Sequence, residues 1–83
     1  MTKKERFEDV RSNIFGARTK MIEAQRDINI LLDRYGMQDE ARCSLNECFM
    51  QIQLAFERMG FALTESYKAE RLLARRQNDR TSK

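Results

Sequence analysis

The chain contains no proline, histidine or tryptophan, and it has only three glycines and two cysteines. Because proline is absent, no residue obliges a helix to break in its interior. Because histidine is absent, a cysteine or serine nucleophile lacks its usual activating base, and a common zinc ligand is missing as well. The sequence therefore argues against an enzyme, and we expect no catalytic residue, no metal and no cofactor.

The scarcity of cysteine and of long apolar runs indicates where the protein acts. Cys43 and Cys48 point in different directions if they share a helix, so they close no useful disulfide loop. Free thiols are typical of reducing compartments. No run approaches the roughly 18 apolar residues of a membrane span, and the polar start shows no signal-peptide pattern. We expect a cytoplasmic protein without membrane contact, in the host cytoplasm if the chain is viral.

What the sequence does contain is two long, largely apolar stripes with alternating spacings of three and four residues. They mirror each other about residue 38 and occupy positions 7, 10, 14, 17, 21, 24, 28, 31, 35 and 41, 45, 48, 52, 55, 59, 62, 66, 69. Mirror pairing joins large residues to small ones, as in Ile28 with Cys48 and Ile14 with Ala62. The pattern is typical of paired helices in a coiled coil. It predicts one all-α domain over residues 1–83, folded as an antiparallel helical hairpin.

The ends of the two helices follow from polar and glycine positions. We predict helix one over residues 4–35, ended by Gly36 in a left-handed conformation, and helix two over 39–76, with Asp39 as its N-cap. Residues 77–83 form a flexible basic tail.

Two glycines inside the helices leave the course of the helices open at one level of the hairpin. Gly16 and Gly60 are destabilising in helix interiors and lie at the same level in the mirror pairing. Either the helices approach closely there, or one of them bends. A bend at Gly16 makes residues 1–15 a separate short arm.

A further apolar row lies beside the predicted seam at Phe49, Phe56 and Leu63. One partner helix cannot cover both this row and the seam, and exposed apolar surface of this extent usually marks an interface. We predict that the hairpins assemble through this row into a homo-oligomeric helical bundle. The alternative is that part of the row forms a groove for a ligand or a foreign protein.

Charge is distributed unevenly along the chain. Residues 1–20 and residues 64–83 each hold six basic and three acidic residues, whereas residues 21–63 hold four basic and seven acidic residues. An antiparallel hairpin brings both basic segments to its open end, and a positive surface attracts polyanions. Arg71 and Arg75 are candidate phosphate ligands because a guanidinium binds phosphate bidentately. The alternative is a charged coat that keeps a small oligomer in solution.

The second helix reads Ala55-Phe-Glu-Arg-Met-Gly60-Phe-Ala-Leu63. With its short basic N-terminal segment and long hairpin, the chain resembles the small phage helical-hairpin proteins that sequester cyclic oligonucleotides, the anti-CBASS sponges. The resemblance implies a homo-oligomer that binds the nucleotide with an aromatic and a basic residue from its N-terminal half. The implied residues are Phe7 or Phe15 for stacking and Arg11, Arg18, Lys20 or Arg26 for phosphate.

Two functions from different classes follow. The first is a non-enzymatic counter-defence protein that captures a small anionic nucleotide with basic residues at subunit interfaces. The second is a helical interaction protein that docks on and inhibits a host protein, or that binds nucleic acid non-specifically through its basic end.

Overall fold

A computed structural model describes the backbone of residues 2–81 and the side chains of residues 2–76. Helix α1 spans Lys3–Arg34. Thr2 caps it, because the Thr2 hydroxyl oxygen accepts the Glu5 backbone N–H at 3.1 Å and donates to the Glu5 carboxylate at 3.1 Å. The helix ends where Tyr35 turns to extended backbone, with φ −117° and ψ 128°. It thus begins and ends one residue before the predicted positions.

The connection between the helices has four residues, 35–38, and it differs from the prediction in two ways. Among the described residues no glycine has a positive φ, so the prediction of a left-handed Gly36 is wrong, and the helix ends through the extended Tyr35 instead. The Gln38 carbonyl accepts the Arg42 N–H at 3.1 Å, so Gln38 rather than Asp39 occupies the N-cap position. Asp39 is the first residue of the helix.

Helix α2 spans Asp39–Thr81, which makes it longer than α1. Its first turn carries Asp39 and Glu40, where the helix dipole favours negative charge. Its backbone stays helical through residues 77–81, part of the segment predicted as a flexible tail, while residues 82 and 83 lie outside the described residues.

The two helices form the predicted antiparallel hairpin, but one of the two predicted seam rows on each helix is replaced by a neighbouring row. The seam positions, all half-buried or buried, are 7, 11, 14, 18, 21, 25, 28, 32 on α1 and 45, 49, 52, 56, 59, 63, 66, 70, 73 on α2. Several positions predicted to lie in the seam are exposed instead, namely Val10, Leu31, Tyr35, Ala41, Cys48, Ala62 and Ala69. The helices are rotated relative to the prediction because polar residues, which the apolar pattern ignores, share the seam.

The rotation changes the place of the second apolar row. Leu63 is one of two apolar residues that are buried among residues 2–76, and Phe49 and Phe56 are half-buried between the helices. The prediction that these three lie outside the hairpin's own seam is therefore wrong. They pack within the chain and leave little surface for contact with a second copy.

Helix α1 is continuous, so residues 3–15 are not a separate arm. A Cβ atom at Gly16 or Gly60 would meet no other atom within 4 Å. The helices do not approach closely at these glycines, and α1 is not interrupted at Gly16.

The hairpin is one helix thick. It measures 69 × 20 × 12 Å, and among the described side chains only Ile28 and Leu63 form a buried apolar core. Stable domains usually bury apolar faces between at least two packed layers. Most of the apolar surface beside the seam therefore has no cover within one chain.

Candidate functional site

The antiparallel arrangement brings the two basic segments of the chain together. Arg11 contacts Glu70 and Tyr67, whereas Gln25 contacts Gln53, so the beginning of α1 lies beside the later part of α2. The acidic middle of the chain lies at the other end, around the connection. The rod is therefore electrically polar, with a basic open end and an acidic turn end.

A shallow groove of about 200 Å³ opens between the helices at the open end. Lys3, Lys4 and Phe7 line it from α1, and Leu73 and Ala74 line it from α2. Two exposed lysines and a half-buried phenylalanine thus line the same groove. This combination suits a ligand with phosphate groups and a planar base, because ammonium groups attract phosphate and a ring stacks on a base.

Glu70 also lines the groove, and its charge is compensated by Arg11. The Arg11 Nη2 lies 2.9 Å from the Glu70 Oε1, and the guanidinium carbon lies 4.3 Å from the centre of the Tyr67 ring. The Arg11 side chain is 11% exposed, and its Nη1 has no hydrogen-bond partner among the side chains and backbone described for residues 2–76. Arg11 is therefore committed mainly to the seam, where it neutralises a carboxylate.

Arg18 and Gln25 also occupy seam positions, seven and fourteen residues after Arg11. The Arg18 guanidinium carbon lies 4.1 Å from the centre of the Phe56 ring. The Gln25 amide donates to the Gln53 side-chain oxygen at 3.0 Å and to the Phe49 carbonyl at 3.4 Å. Polar layers thus alternate with apolar ones along the seam. Polar groups inside a seam between helices often determine the register of the helices and the number of helices that assemble.

The remaining residues predicted for a ligand site lie further apart. Phe15 is 52% exposed, and Lys20 forms an exposed ion pair with Glu23 at 3.3 Å. Arg26 lies 15 residues beyond Arg11, about 22 Å along a helix, so one small ligand cannot contact both within a chain. Arg71 and Arg75 are exposed on the part of α2 that forms the open end. Of the predicted set, Phe7 lines the groove from a seam position, and the exposed Arg71 and Arg75 directly follow the lining residues Glu70 and Ala74 in the sequence.

Sequence reasoning missed Lys3 and Lys4 as groove residues and Glu70 as the partner of Arg11. The signal for the two lysines was present, because a hairpin places the first turn of α1 beside the last turns of α2. The signal for Glu70 was weaker. Glu70 lies seven residues after Leu63 and fourteen after Phe56, so the spacing assigns it to their row, but a carboxylate is unexpected in a row that is otherwise apolar.

The two thiols do not add a catalytic centre to this site. Cys43 and Cys48 are free and exposed, and both lie on the first turns of α2, far from the open end. Cys48 was predicted to pack in the seam, which is wrong because the rotation of α2 turns its row outward.

Comparisons of the chain with protein-family models, with curated proteins and with solved structures found no match. Within residues 2–81, neither helix combines the length and the apolar character that crossing a bilayer requires. The site is therefore interpreted from its own geometry.

Proposed function

We propose that the chain is a non-enzymatic, self-associating protein that captures a small polyanion at its basic open end. The observation that carries the proposal is the groove that Lys3, Lys4 and Phe7 line together. Arg71 and Arg75 add positive charge on the neighbouring surface of α2. Self-association is supported by the single-layer fold, which leaves apolar side chains uncovered.

The ligand class proposed for this groove is a cyclic oligonucleotide, and the biological role is counter-defence in a phage-type setting. The resemblance of the sequence to phage sponge proteins supports this choice. The groove adds a physical reason, because a cyclic oligonucleotide combines several phosphates with bases that can stack on an aromatic ring.

Calorimetry with a panel of cyclic dinucleotides and trinucleotides tests the proposal. We expect stoichiometric binding by at least one of them, and we expect Arg71→Gln/Arg75→Gln to weaken it by about tenfold or more, since charge-assisted contacts to phosphate are strong. The control is Lys20→Gln, which removes an exposed lysine near the middle of the rod, away from both of its ends. The control should bind normally at physiological salt, where electrostatic effects fade beyond about 8 Å. Failure of every nucleotide in the panel to bind would rule out this ligand class.

A second candidate function is supported by the outer surface of α2. Phe61 is 73% exposed, and Leu54 and Met50 on the same helix are 42% and 52% exposed. Such a row suits docking on the groove of another protein. If this is the function, Phe61→Glu abolishes recovery of a host protein in a pull-down while the oligomer and nucleotide binding are unchanged.

A further inference from the structure

One face of the hairpin is apolar on both helices and has no cover. On α1 it includes Val10, Ala17 and Leu31, and on α2 it includes Cys48, Ala55 and Ala62. Each of these residues lies three positions after a residue of the seam. The antiparallel helices are related by an approximate two-fold axis normal to the hairpin, so equivalent rows emerge on the same face. We refer to this surface as the Val10 face.

The Val10 face is open and large enough to hold a second hairpin. Val10 is 48% exposed and Leu31 is 40% exposed, and a shallow groove of about 280 Å³ runs along its edge, lined by Gln51, Leu54, Ala55, Arg58 and Met59. The hairpin is 69 Å long and 20 Å wide, so this face exceeds the roughly 800 Å² that each partner buries in a standard interface.

Charge along the edge of the face discriminates between two orientations of the second copy. Counting from the contact between Gln25 and Gln53 places Lys20 level with Arg58. If both turn ends pointed the same way, α1 would face α2 of the other copy, and these two cations would meet. The basic open ends would also lie side by side, which like-charge repulsion opposes.

The opposite orientation brings unlike charges together. A two-fold axis at the middle of the rod passes near residues 60–62 of α2 and near Ala17 of α1. Arg58 then faces Glu65 of the second copy, and Arg6 faces Asp27 of the second copy, each within about one residue of the same level. All four side chains are exposed, and none of them takes part in the ion pairs described for residues 2–76.

We propose that two copies pack through the Val10 face with the turn end of each against the open end of the other. The inference rests on the self-association in the proposed function and not on ligand binding. It makes a four-helix dimer in which α1 packs on α1 and α2 packs on α2, with Ala62 facing its own equivalent at the two-fold axis. Each dimer then carries two open-end grooves, one at each end of the rod.

Disulfide cross-linking without ligand tests the orientation and the face together. In a Cys43→Ser/Cys48→Ser background, Ala62→Cys should form a covalent dimer under mild oxidation, because cysteines bridge only when their Cα atoms are within about 7 Å. Gly60→Cys is the matched control, since it lies at almost the same level on the opposite face. It should remain largely uncross-linked.

Charge reversal provides a second test that spares the fold, because the residues are exposed. Arg58→Glu and Glu65→Arg should each weaken dimerisation by about tenfold, because the two-fold axis repeats the pair and each reversal replaces two attractions by two repulsions; the double swap should restore dimerisation. Sedimentation velocity over a concentration series measures the effect.

Three other outcomes contradict the proposal. Efficient cross-linking of Gly60→Cys in place of Ala62→Cys places the interface on the other face. A dimer that neither cysteine cross-links has a different orientation, and a monomer throughout means that no second copy covers the face. A separate result concerns the proposed function alone: if the Ala62→Cys dimer forms but neither it nor the unmodified chain binds any nucleotide of the panel, the proposed function is wrong and this inference is unaffected.

Discussion

Replacing Arg11 by leucine should destabilise the hairpin although arginines on helix surfaces are usually dispensable. The substitution leaves the Glu70 carboxylate in the seam without the guanidinium that lies 2.9 Å away. Breaking a fully buried ion pair costs about 3–5 kcal/mol, and losing an exposed one costs about 0.2–1 kcal/mol. The side chains of Arg11 and Glu70 are 11% and 30% exposed, which places this pair between the two cases. With the stacking on Tyr67 also lost, we expect a decrease of about 1–3 kcal/mol in the free energy of unfolding.

The double substitution Arg11→Leu/Glu70→Leu should recover most or all of that loss. It replaces the ion pair by an apolar layer between Phe7 and Ile14, and such replacements are often neutral or stabilising. Urea unfolding followed by circular dichroism measures the effect, with all variants at the same chain concentration because the stability of an oligomer depends on concentration.

Arg26→Leu is the matched control, since it removes an exposed arginine from the same helix. It should change the free energy of unfolding by less than about 0.5 kcal/mol. Two results would contradict a stabilising pair between Arg11 and Glu70. One is that Arg11→Leu lowers the free energy of unfolding no more than Arg26→Leu does, and the other is that the double variant is no more stable than Arg11→Leu alone.

Three further predictions concern other parts of the molecule. Gly16→Ala should stabilise the chain by about 1 kcal/mol, because a Cβ there meets no atom within 4 Å, and thermal unfolding should show a rise of about 4–8 °C; an unchanged or lower midpoint contradicts it. Nucleotide binding should weaken steeply as salt rises, and Arg71→Gln/Arg75→Gln should flatten that dependence in calorimetry; equal slopes would exclude these arginines from the site. Phe61→Ser should leave the unfolding midpoint in urea nearly unchanged because the ring is 73% exposed, and a clear loss of stability would place that ring in an interface.

The sequence was sufficient for the helical hairpin but not for the rotation of each helix about its own axis. Without proline, two stripes with three-four spacing around a short connection leave few alternatives to antiparallel helices. Three adjacent rows of each helix carry apolar residues, however, so several rotations of the helix about its axis would bury a similar number of apolar side chains. The rotation observed depends on Arg11 pairing with Glu70 and on Gln25 pairing with Gln53, which are contacts between residues far apart in the chain.

The same limit applies to the candidate site. The polarity of charge followed directly from the hairpin, because both basic segments had to meet at its open end. The sequence did not show which basic residues remain free to bind a ligand, because that depends on what each side chain contacts in the folded hairpin. Arg18 stacks on Phe56 and Arg11 pairs with Glu70, so two of the predicted phosphate ligands serve the seam, while Lys3 and Lys4 line the groove.

Self-association and nucleotide capture can be tested together by native mass spectrometry of the chain with a panel of cyclic oligonucleotides at physiological ionic strength. One spectrum reports both the number of subunits and the bound ligand. We expect an assembly with an even number of chains and one nucleotide for each open end. A monomer, or an assembly that retains no nucleotide from the panel, would contradict this expectation.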